Sequence, residues 1–183
     1  MESKVTHNLD HTIALLERTP GALDELLRGL SPEWTEQNEG GETWNAREIV
    51  AHLSHCERTD WMPRVKHLLE FGEMQPFPPF DRLGQRQAMQ GKSMAELLDE
   101  FAQLRAGSLE ELRAIGLSSA DLERLGAHPA LGPVTMSELL AAWAGHDLTH
   151  LHQISRVLAF QYREAVGPWA RYLGVMQCNG HSS

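Results

Sequence analysis

Cysteine is scarce in this chain. There are two in 183 residues, Cys56 and Cys178, far apart and outside any CxxC pair. That excludes a disulfide scaffold and a cysteine zinc knuckle, fits a reducing compartment, and leaves both thiols as expected packing or bystander groups. Basic clusters are missing too. The formal net charge is −9 and no Lys/Arg run appears, so nucleic acid is not an expected partner. No apolar run approaches the roughly 20 residues a bilayer requires, so no membrane partner is expected. The opening MESKVTHNLD has neither the basic patch nor the apolar stretch of a signal peptide, and the expected location is the cytoplasm. Period-2 alternation, internal repeats and low-complexity tracts are absent, as are a glycine-rich phosphate loop, a nucleophile elbow and an HExxH zinc motif.

What the chain has is helix. Hydrophobic residues make up 42% of it, enough for one core, and a single domain over 1–183 is expected, with a core of about 5–177 and a frayed tail at 178–183. The stretch HNLDHTIALLERTPGALDELLRGL reads as a first helix broken near Pro20-Gly21. Asn45 and Glu48 resemble a capping box ahead of REIVAHLSHCERTDWMPRVKHLLEF, a second helix kinked at Pro63. GEMQPFPPFDRLGQ is a long proline-bearing loop. Ser93 and Glu96 cap a third helix, 94–116; SSADLERL is a short helical turn and GAHPALGPVT a loop. Thr135 and Glu138 open the longest helix, about 136–164, which Gly167-Pro168 ends. Four main helices imply an all-α bundle.

Histidine is abundant, at ten residues, and WAGHDLTHLHQ packs three of them with an aspartate. On a helical wheel Met136, Leu139, Leu140, Trp143, Leu151, Ile154, Val157 and Leu158 form an apolar stripe. His146 and His150 lie on its shoulder one turn apart, where an i, i+4 pair can share a metal ion, while His152 points away. A third ligand must come from elsewhere. On the second helix the apolar face of Ile49, Val50, Leu53 and Cys56 lets His52 reach the interior and turns His55 to water. His7, His11, His67, His128 and His181 read as surface or loop residues. Asp147 falls within the stripe, where an unpaired carboxylate is costly. It requires a histidine, an arginine or an orphan backbone donor. Two roles are open: hydrogen-bonding a histidine ring from behind, or tying this helix to a donor on a facing one, such as the start of the second helix. Trp44 and Trp143 read as packing aromatics, and Arg156 and Arg163 as solvated or ion-paired.

TWNAREIVAHLSHCE followed by HPALGPVTMSELLAAWAGHDLTHLHQI resembles the DinB-like (DinB/YfiT) superfamily, and VGPWARYLGVMQ resembles its closing segment; the likeness spans about 5–177. The resemblance implies a four-helix bundle with long connecting loops. It also implies a divalent metal, nickel or zinc before manganese or iron, held by His52, His146 and His150. It further implies a homodimer and a small-molecule substrate, in some relatives a low-molecular-weight thiol. The leading expectation is a metal-dependent thiol S-transferase or hydrolase. The alternatives are a non-catalytic, stress-related metal-binding module and a helical interaction protein.

Overall fold

The computed structural model describes residues 7–81 and 84–178; His181 and most of the expected tail lie outside them. Nine α-helices are found among the described residues, in chain order α1 Leu9–Leu16, α2 Thr19–Leu27, α3 Pro32–Thr35, α4 Ala46–Thr59, α5 Trp61–Phe71, α6 Gly84–Ala88, α7 Met94–Ile115, α8 Ser119–Leu122 and α9 Met136–Phe160. Two short strands, β1 Leu125–His128 and β2 Gly132–Thr135, precede α9, and 3-10 turns over Gly167–Tyr172 and Gly174–Met176 follow it. The pairs α1/α2 and α4/α5, with α7 and α9, make the four rods of a bundle.

Local chemistry sets these bounds. Asn45, Ser93 and Thr135 each form a reciprocal capping box with the glutamate three residues on, which fixes where α4, α7 and α9 begin. Gly116 ends α7 in the left-handed region (φ 65°, ψ 50°), where a side chain would be strained. The break in the second rod falls at Asp60 rather than at Pro63. Proline lacks an N–H and crowds the carbonyl four residues earlier, so the discontinuity moves to the preceding turn and Pro63 sits in the first turn of α5. For the same reason the first rod breaks at Glu17–Arg18, with Pro20 near the start of α2. The last long helix ends at Phe160, four residues short of the expected 164.

The stretch GAHPALGPVT corrects the expected loop. It carries most of an antiparallel hairpin in which Leu125 faces Thr135 and His128 faces Gly132, and Phe77 N–H donates to Ala127 C=O. Strands of four residues containing glycine and proline carry no alternating pattern to read. Packing selects them: a Cβ on Gly126 would stand 3.0 Å from Leu68 and Phe77 side-chain atoms.

The buried apolar residues form two clusters, one around Leu16, Trp61, Val65, Leu109, Leu140 and Trp143, the other around Leu23, Ile49, Leu53, Leu97, Phe101 and Ile154. Buried polar residues lie between the two sets on three rods, Thr19 on α2, Arg105 on α7, and Asp147 and His150 on α9, while on α4 Glu57 follows directly after Cys56. The order of the clusters along each rod gives the directions. The α1/α2 rod and α9 run one way; α4/α5 and α7 run the other. Two parallel consecutive rods require a long return, and residues 72–93 supply it.

Candidate metal centre

The polar layer has two parts. The first is a closed ion cluster. The Arg105 guanidinium donates to both oxygens of Asp147 (2.6 and 2.9 Å), twice to Glu57 Oε1 (2.8 and 3.0 Å), and to the Leu16 carbonyl (2.8 Å). Trp143 Nε1–H adds a further bond to Glu57 Oε1 (3.0 Å). All three charged side chains are nearly inaccessible. Asp147 is therefore held bidentately by an arginine on a facing helix, not by an imidazole or by the start of α4. The charges sum to −1, and Glu57 Oε2 is buried without a partner among the described residues.

The second part flanks Asp147 on α9, with His146 immediately before it and His150 three residues after, and includes His52 of α4. His146 Nε2 stands 3.1 Å from His52 Nε2 and 3.1 Å from His150 Nε2, and the three nitrogens lie within 4.8 Å of one another. The far side of two rings is tied. His52 Nδ1–H donates to Gln85 Oε1 on α6, and His150 Nδ1–H to Gln153 Oε1 one turn along α9, both at 2.7 Å. Amide oxygens only accept, so these bonds place the protons on Nδ1 and leave both Nε2 lone pairs facing inward. His146 Nδ1 is buried without a partner among the described residues. Trp44 lies over His52 and His150, Trp61 sets its ring against His146, and Phe80 meets His52 edge-on. Trp44 is thus a wall of the cluster, whereas Trp143 is core.

Electrostatics keep two of the rings neutral. Burial pushes the pKa of His146 far below the ordinary imidazole value, and positive charge on His150, His52 or Arg105 would lower it further. Burial also lowers that of His150, opposed by the bond to Gln153 and the charge of Asp147. Neutral imidazole is the form that binds a metal.

The outer histidines divide. His152 is exposed, as the wheel requires. His55 is not: it is 7% exposed and its Nε2–H donates to the Asp81 carbonyl (2.7 Å). The wheel saw only α4, and the loop after α5 returns across it. Phe80 packs on His55, and a Cβ on Gly84 would stand 2.4 Å from the His55 ring, so glycine is required there. Arg156 is buried and paired with Glu39, and His128 is half-buried in β1. The sequence reading missed Glu57 and Arg105. A buried arginine and a buried glutamate on two helices leave no local signature.

Residues 15–154 match the family model of the DinB superfamily, and the chain belongs to that superfamily. Among solved structures it is similar to YfiT from Bacillus subtilis, described as "a probable metal-dependent hydrolase with an unusual four-helix bundle topology". That match has a TM-score of 0.70 at 20% identity and covers 90% of this chain and 92% of the other, a likeness of fold. No curated protein matches the chain.

Proposed function

We propose that this protein is a metal-dependent enzyme holding one divalent ion through Nε2 of His52, His146 and His150, and acting on a small molecule by hydrolysis or thiol transfer. The spacing of the nitrogens carries the reading. Donors about 2.0–2.1 Å from a shared ion, at angles of about 90–110°, stand roughly 2.9–3.4 Å apart. Both measured edges, at 3.1 Å, fall in that range. The neighbouring ion cluster also leaves a buried net negative charge that a dication would balance.

Three neutral imidazoles leave coordination open, and a divalent ion so held lowers the pKa of a bound water or thiol. The protein's own groups do the rest. Gln85 and Gln153 hold the ring orientation and tautomer of His52 and His150. Trp44, Phe80 and Trp61 wall the cluster, exclude water and present flat apolar surface to a substrate. Asp147 acts on the site through Arg105, which fixes the turn of α9 between the two ligands. The family likeness and the DinB-type bundle of YfiT support the hydrolase arm, and nickel or zinc suits imidazole donors. Exposed Trp169 and Tyr172 offer apolar surface for a homodimer.

Elemental analysis of protein purified without a histidine tag or chelating resin tests the reading. About one equivalent of a transition metal is expected, lost in His52→Ala, His146→Ala and His150→Ala and kept in His152→Ala. Retention by the first three, or loss in His152→Ala, would refute the ligand set.

A further inference from the structure

We propose that Cys56 is a fourth donor to the ion, so that the site is a three-histidine, one-thiolate centre. This rests on the three-histidine reading above and extends it. Cys56 lies one turn beyond His52 on α4, as His150 lies one turn beyond His146 on α9. Each helix thus offers an i, i+4 pair to the space between them.

The sulfur is aimed at that space. Cys56 Sγ is 3.4 Å from His52 Nε2 but 4.0 Å from His52 Nδ1, so it lies toward the inward edge of the ring. It is also 4.0 Å from His146 Nε2, and the residue is 2% exposed. His150, 5% exposed, directs its own Nε2 to His146 Nε2, 3.1 Å away. A packing cysteine behaves as a small hydrophobe and settles against carbon. This one has its polar contacts with two of the nitrogens already assigned to the ion. A thiolate about 2.3 Å and an imidazole nitrogen about 2.0–2.1 Å from a shared ion, at angles of about 90–110°, stand roughly 3.1–3.6 Å apart. The 3.4 Å edge falls within that range and the 4.0 Å edge about 0.4 Å beyond it, a shift within reach of a side-chain rotation.

Ligation breaks the S–H bond as the sulfur–metal bond forms, and the proton passes to bulk buffer; no oxidant or reductant takes part. A thiolate beside imidazoles selects zinc, cobalt, nickel or copper over magnesium, calcium or manganese. It also leaves the substrate a fifth position rather than a fourth.

Cobalt(II) titration of the metal-free protein tests this without an assay of activity. Wild type should show visible ligand-field bands together with a near-ultraviolet sulfur-to-cobalt charge-transfer band. Cys178→Ser, altered at an exposed site, should keep both. Cys56→Ser should keep the visible bands and lose the charge-transfer band. Because wild type and Cys178→Ser together decide, poor folding of the Cys56 variant cannot mask the result. Visible bands with no charge-transfer band in wild type, or a band lost in Cys178→Ser, would overturn the assignment while leaving the three histidines standing. No cobalt spectrum at all would overturn both readings.

Discussion

Replacing Arg105 with Met would strand two carboxylates inside the bundle. The guanidinium makes five hydrogen-bond contacts, four to Glu57 and Asp147 and one to the Leu16 carbonyl. After the change Glu57 Oε1 keeps only the Trp143 bond, and Asp147 loses both of its contacts with the guanidinium. Removing one partner of a buried pair costs about 3–5 kcal/mol, and an unsatisfied carbonyl a further ~1–3 kcal/mol. A loss of about 4–8 kcal/mol is expected, a large part of a typical total of about 5–15 kcal/mol. Urea unfolding of the metal-free protein at pH 7, followed by circular dichroism, measures it; the midpoint should fall with little change in slope. Adding Asp147→Leu to Arg105→Met should recover part of the loss, because it removes one stranded charge. A loss below about 1.5 kcal/mol, or a double variant weaker than the single, would mean that the ion cluster is not closed as described.

Acid should weaken the metal-free protein. Folding lowers the pKa of His146 and His150, so the unfolded chain binds more protons below its own value of about 6.5, and stability present above that value is lost as pH falls. Between pH 7 and pH 5 the loss should approach about 2 kcal/mol for each strongly depressed imidazole, and His146→Gln should reduce it; a pH-independent midpoint would refute the burial argument. Gly84→Ala should cost about 1–3 kcal/mol or displace the loop from His55, seen as faster amide exchange at Phe77, Phe80 and Asp81, and unchanged exchange would contradict the close packing at Gly84. A saturating ion, at about 100 times its Kd, should add about 2.7 kcal/mol of stability, a gain that His150→Ala should abolish.

Much of this architecture was legible in local chemistry. The capping boxes at Asn45, Ser93 and Thr135 mark helix starts by short-range signals, and His146 and His150 by helical phase. Asp147 announced itself as a misfit, and the demand for a partner was sound. The partner was hidden because Arg105 reads as an ordinary surface arginine in AQLRAGS until α7 is docked. The same gap explains His55 and the hairpin. A wheel assigns water to any face its own helix does not cover, and only the returning loop and the packing on Gly126 decide otherwise. Cys56 was read as a bystander because its significance lies across the bundle, at His146.

The polar layer joins parts of the chain that are remote in sequence. His52 and His146 are 94 residues apart, Arg105 and Leu16 are 89, and Glu57 and Trp143 are 86. Caps and helical turns close over three or four residues and can form early, but these contacts must wait until all four rods have met. The layer therefore belongs to the last stage of folding. A chain whose helices are formed but undocked holds His146 and His150 as an isolated pair and does not yet hold the three-nitrogen site. The ion's binding energy is then delivered at the end, as a lock on the finished bundle rather than a guide to its assembly.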